Sequence, residues 1–193
     1  MKWLAIALAL FLTACGTYGP ERAHPDQVAA LAMRLQTLSP DVDPMEARRA
    51  AKVTYETTYA LAVAYQITDP PLIHNTKVNA GTKPRGLCYH WAEDLEARLN
   101  EEDFETLAIT RAIANADNPL LIDHSTAVIT AAGAPMAAGV VVDPWRYGGR
   151  LFWENVSADK RYDWHPREDV LRAKGRIRYV HRTEGSLAPP PKP

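Results

Sequence analysis

The chain has 193 residues, 47% of them hydrophobic and 23% charged, with a formal net charge of −1. That composition excludes a disordered or collagen-like chain. The balanced charge argues against a nucleic-acid partner, which usually requires a basic excess. The length suits one domain with a proper core, and two cysteines cannot make a disulfide scaffold.

Residues 1–14 place Lys2 ahead of an apolar run that ends at Leu12-Thr13-Ala14. A short apolar run behind a positive residue is a secretory signal peptide, too brief for a stable span, and no later run approaches the roughly 18 apolar residues a span needs. The segment Leu12-Thr13-Ala14-Cys15-Gly16 resembles the lipobox of bacterial lipoproteins. The resemblance implies cleavage before Cys15, a diacylglycerol on its sulfur and an acylated amine, and so a lipid bilayer as partner. Several acyl chains hold a soluble domain firmly on a membrane. The expected location is the bacterial cell envelope, exported and lipid-anchored. Gly16 stands where an Asp would imply retention in the inner membrane, which favours the periplasmic face of an outer membrane if the source has one. Lipid would then consume Cys15 and leave Cys88 as the single free thiol.

Residues 15–24 read as a lipidated tether broken by Gly16, Gly19 and Pro20, and 25–187 as a single domain. Val28, Leu31, Leu35 and Leu38 recur at helical spacing from Pro25 to Leu38. Asp43-Pro44 opens a second helix, with Asp as N-cap and Pro at the first helical position. It runs to Tyr65 with Ala50, Val53, Thr57, Leu61 and Ala64 on one face. Residues 66–87 read as a long irregular loop, because Asp69-Pro70-Pro71, Asn79-Ala80-Gly81 and Lys83-Pro84-Arg85-Gly86 interrupt it. A third helix starts at Cys88 and runs to about Asn100, with Trp91, Ala92, Leu95 and Leu99 in register.

Beyond Asn100 the period changes. Strands are expected over Phe104–Ala114, His124–Thr130, Gly139–Val142, Leu151–Trp153 and Arg176–His181. The Pro-rich tail 188–193 should be disordered. Helices first and strands after, with no βα alternation, predict an α+β domain with an antiparallel sheet.

Cys88 follows Gly86-Leu87 at a helix start, where the dipole and free N–H groups favour a thiolate nucleophile. Taken alone, Cys88 reads better as a small buried hydrophobe, since it shares a face with Trp91 and Leu95. His124 opens one strand and Asp143 closes the next, so adjacent antiparallel strands would bring them together. Alone, Asp143 reads as a solvated turn residue before Pro144. Together the three suit the logic of nucleophile, base and orienting carboxylate.

Gly86-Leu87-Cys88-Tyr89-His90-Trp91-Ala92, then His124 at the head of a strand, then Val142-Asp143-Pro144-Trp145, resemble the Cys, His and Asp elements of transglutaminase-like, papain-superfamily proteins. The resemblance covers about residues 80–153. It implies a transglutaminase-like fold and catalytic Cys88, His124 and Asp143. It also implies an oxyanion hole built from the Cys88 N–H and an upstream donor, for which Asn75 and Asn79 are the candidates. Thr126 stands where the family often has an aromatic residue. Trp145 and Tyr147 flank Gly148-Gly149, a turn that composition marks as mobile, and are the candidate substrate-cleft residues. No cofactor is implied, and a metal site is disfavoured. Cys-x-His is not a usual zinc spacing, and positions i and i+2 of a helix point apart.

The expected activity is thiol acyl transfer, as a peptidase, an amidase or a transglutaminase-like transferase, on a peptide, protein or cell-wall substrate. The alternative is a non-catalytic envelope module that binds a protein or wall partner through the same face. A purely structural lipoprotein with a silent Cys88 is a third reading.

Overall fold

A computed structural model describes residues 18–176. The expected signal peptide, Cys15, the strand beyond Arg176 and the Pro-rich tail lie outside these residues. The described chain is α+β, with four helices followed by a five-stranded sheet and a short final helix. Among the described residues, no helix is long and apolar enough to cross a membrane.

The helix starts follow their caps. α1 spans Pro25–Gln36 and α2 spans Pro44–Ala64. The Asp43 carboxylate accepts from the N–H groups of Met45 and Glu46, so the Asp-Pro start expected from the sequence is the one observed. α3 spans Pro71–Asn79, within the stretch read from the sequence as a loop. There Pro70 is the N-cap and Pro71 the first helical residue, so the two prolines open a helix instead of breaking one. The helix has little apolar periodicity of its own. Tertiary contacts order it: buried His74 meets the Arg85 carbonyl through Nε2 at 2.8 Å, and Lys77 pairs with Asp69. α4 spans Cys88–Asn100, the bounds expected, with Trp91, Ala92, Leu95 and Leu99 buried.

β1 is Leu107–Ala114, β2 His124–Ala131, β3 Val140–Asp143, β4 Phe152–Asn155 and β5 His165–Pro166. All pairings are antiparallel, in the order β4-β3-β2-β1-β5. β1 starts three residues later than expected, because the N–H groups of Glu105 and Thr106 donate to the Glu46 carboxylate and not across the sheet. α5, Arg167–Ala173, and β5 carry no periodic signal and were not foreseen.

Both faces of the sheet are covered. Ala127, Ile129, Val140 and Val142 pack against Leu31, Leu35, Leu95 and Leu99 of the helices. On the other face Val128, Val141 and Ala112 meet Trp164, Val156 and Tyr162. Double coverage explains why every residue of β2 is buried. Buried Glu46 ties the start of α2 to the start of β1. Its carboxylate accepts from the Glu105 and Thr106 N–H groups and from the Thr106 hydroxyl. Burial pushes its pKa up, but these bonds outweigh burial and hold it below the ordinary carboxylate value. Residues 18–24, expected as a free tether, lie along the body. The Gly19 N–H donates to the Gly148 carbonyl at 2.9 Å, Glu21 pairs with Arg150, and Arg22 stacks on Tyr59.

Candidate functional site

The sheet brings two of the sequence candidates into contact. Ala127 pairs with Val142, so the next step of the register sets Thr126 opposite Asp143. His124 is then Asp143's diagonal neighbour, within side-chain reach. The Nε2 of His124 meets Asp143 Oδ2 at 2.7 Å, with the two side chains only 3% and 1% exposed.

Cys88 reaches the same place from α4. Its thiol donates to the carbonyl of Asp123, the residue before His124, at 3.5 Å. Gly86 delivers it. This glycine has φ of +123°, and an added Cβ would lie 2.4 Å from His74 Nε2, inside a fixed and buried ring. Leu87 at the N-cap offers no side-chain acceptor; instead Nδ1 of His90 accepts from the N–H groups of Gly86 and Leu87. The N–H groups of Cys88 and Tyr89 come too early in the helix for an intrahelical acceptor. They are free donors beside the sulfur.

The charge state of the site follows from its network. Asp143 accepts from His124 and from both the backbone N–H and the Nε of Arg146, the latter two at 3.1 Å. Arg146 continues to Asp159, which also accepts from the Trp164 indole at 2.9 Å. The buried series Asp159, Arg146, Asp143, His124 is neutral only when His124 is charged. Burial pushes the His124 pKa down, but Asp143 and Cys88 outweigh it and raise it to about 9. Burial likewise pushes Asp143 up, while His124 and Arg146 hold its carboxyl below the ordinary 3.8. A charged imidazole donates from both nitrogens. One N–H is taken by Asp143. Among the described residues Nδ1 is buried without a partner at full hydrogen-bond geometry, and the Cys88 sulfur is near enough to favour the charged ring.

Aromatic rings fix the imidazole. Trp145, Tyr162 and Trp164 lie 4.6, 4.6 and 5.2 Å from it, centroid to centroid. The Trp145 indole N–H donates to Asn75 Oδ1 at 3.1 Å. That bond draws α3 to the site and leaves the Asn75 amide NH2 to donate elsewhere. Asn79, one turn later, is exposed at the end of the helix. A cleft of about 460 Å³ opens over His124, walled by Pro71, Leu72, Leu120, Ile122, Trp145 and Tyr162. A depression of about 490 Å³ at Arg22 and Tyr59 holds none of the candidate residues.

Tyr147, expected in the cleft, is not among its walls; its ring is 47% exposed and edges Phe152 at 5.9 Å. The Gly148-Gly149 turn is buried and hydrogen-bonded to Gly19 and Pro144, which corrects its reading as mobile. Arg146, Asp159 and Tyr162 were not foreseen. Arg146 alone left a signal, as a cation three residues after a strand-ending aspartate. No family model, curated protein or solved structure matches the chain.

The shifts set a pH dependence of stability. His124 rises from 6.5 to about 9 on folding, so its contribution is complete below pH 6.5 and is lost as pH climbs through about 9. Asp143 moves the other way. Its contribution is present above its ordinary 3.8 and fades as pH falls below that value. Calorimetry should find the wild-type melting temperature dropping between pH 6.5 and 9 more steeply than that of His124→Gln. Parallel profiles would contradict the assignment.

Proposed function

We propose that the protein is a lipid-anchored envelope enzyme of transglutaminase-like fold that performs thiol-dependent acyl transfer with Cys88, His124 and Asp143. The observation that supports this best is the His124 ring itself. Asp143 holds one nitrogen, and the other is buried, unpartnered and next to the single thiol of the domain. Buried His74 also leaves its Nδ1 without a partner, so what sets His124 apart is the Asp143 carboxylate on one nitrogen together with the Cys88 sulfur acting on the ring.

In the proposed reaction Cys88 and His124 react as a thiolate–imidazolium pair, the shared proton resting on Nδ1, and the sulfur attacks a carboxamide carbonyl carbon. The C–O π electrons move to oxygen, and the oxyanion is met by the free Cys88 N–H and the Asn75 amide. Collapse reforms the carbonyl and breaks the C–N bond, with the His124 proton leaving on the amine. Water or a second amine then attacks the thioester, giving its proton to His124, and the C–S bond breaks to restore the thiolate–imidazolium pair. Asp143 keeps Nε2 protonated throughout, which presents Nδ1 to the sulfur.

The test is turnover of peptide carboxamides, and incorporation of a primary amine into them, by the wild type and Cys88→Ala. Turnover that disappears in Cys88→Ala supports the reading, and turnover retained there overturns it. Asn75→Ala should lower kcat by about 10²–10³ with little change in KM, because an oxyanion donor acts on the transition state. An unchanged kcat would remove Asn75 from the site.

A further inference from the structure

Of the eleven large hydrophobic side chains exposed among the described residues, five belong to two segments that wall the cleft over His124. Leu120, Leu121 and Ile122 are 92%, 52% and 63% exposed, and Leu72 and Ile73 are 58% and 51% exposed. Leu72 belongs to one wall of the cleft over His124, and residues 120–122 supply another. Monomeric proteins usually scatter such residues singly, and a contiguous exposed group marks an interaction surface.

The chain itself points to what covers this surface. The described residues begin at Tyr18, which lies beside Gly148, as does the carbonyl of Asp69. An added Cβ on Gly148 would sit 2.8 Å from the Tyr18 ring and 3.1 Å from the Asp69 carbonyl. Asp69 directly precedes Pro70, Pro71 and Leu72. Cys15 is three residues before Tyr18, so its sulfur-bearing backbone lies no more than about 10 Å away. A lipid on Cys15 would therefore enter the bilayer beside Leu72 and Ile73. The charges nearby are mostly matched: Lys77 pairs with Asp69, and Lys174 pairs with Asp123. The surface thus offers apolar area without a basic excess, as insertion into neutral lipid requires.

We propose that Leu72, Ile73 and the Leu120–Ile122 loop insert into the interface of a phospholipid bilayer, so that the cleft over His124 opens at the membrane surface. The inference rests on Cys15 as the lipid-bearing residue. Substrates would then be presented at the membrane surface and not from bulk solvent.

The experiment uses the full chain, produced in a bacterium that processes lipoproteins and reconstituted into phosphatidylcholine vesicles. The vesicles carry a phospholipid with a photoactivatable diazirine in its acyl chain. Mass spectrometry reads both the mass of the Cys15 peptide and the positions of lipid cross-links. The expected result is an acylated Cys15 with cross-links at residues 72–73 and 120–122. The double variant Leu120→Glu/Ile122→Glu should reduce those at 72–73 about fivefold, because interfacial binding scales with buried apolar area. These positions are exposed, and circular dichroism would check that the variant folds like the wild type. Acylated Cys15 with cross-links confined to the N-terminal peptide, or spread evenly over the domain, overturns the proposal and leaves the anchor standing. An unmodified Cys15 in a chain that does not float with the vesicles overturns both.

Discussion

Replacing His124 with alanine is expected to slow alkylation of Cys88 by iodoacetamide at pH 6 by about tenfold or more, since the thiolate and not the thiol is the nucleophile. The measurement uses Cys15→Ser, in which Cys88 is the single cysteine. At that pH an isolated thiol is almost wholly protonated. His124, with a pKa raised to about 9, is a cation beside the sulfur at that pH. Alanine removes that cation and opens space around the thiol, so greater access would push the rate up. A fall in rate therefore reports lost ionisation and not lost access. The same substitution should reduce acyl transfer by about 10²–10⁴, the usual worth of a positioned acid–base group. Equal alkylation rates in the two proteins would mean that Cys88 and His124 are neighbours without being partners.

The second large effect concerns stability. Arg146→Met is expected to cost about 3–5 kcal/mol, because removing one member of a buried ion pair strands the other. Here Asp159 is left without its cation, and Asp143 keeps only His124. The side chains of Asp143, Arg146 and Asp159 are 1%, 3% and 2% exposed, and the guanidinium also lies 3.7 Å from the centre of the Phe152 ring. For a chain of this size the loss corresponds to a melting temperature lower by roughly 6–20 °C. Adding Asp159→Asn should recover part of it, since one stranded charge is then gone. A single variant that melts within a degree of the wild type would show that the network carries no net stabilisation.

The helical layer could be read from residues because its boundaries are chemical. Asp43-Pro44 is a cap and a first-turn proline, and Cys88 to Leu99 keeps one apolar face. α3 was hidden because Pro70-Pro71 is equally the mark of a loop. Only the burial of His74 and the pairing of Lys77 with Asp69 decide between the two, and both contacts are tertiary. β5 is two residues long, and its partner β1 lies some fifty residues earlier, so no local pattern announces it.

Within the site, Cys88, His124 and Asp143 were legible because each stands at the end of an element that the sequence marks. Asp159 and Tyr162 were not. They lie in a polar segment that reads as surface, and they become site residues only because the chain returns across the sheet. Trp145 and Tyr147 had the same sequence signal and separated in the fold. Trp145 turns to His124 and Asn75, while Tyr147 edges Phe152.

The state of His124 decides the account, and nitrogen-15 NMR of the histidine rings reads it directly, with His124→Gln to assign the signals. The expected result is a doubly protonated His124 at pH 7 that titrates near pH 9, with an inflection that falls in Cys88→Ala because the sulfur contributes to the shift. A neutral ring at pH 7, titrating at or below 6.5 whether or not Cys88 is present, would contradict it.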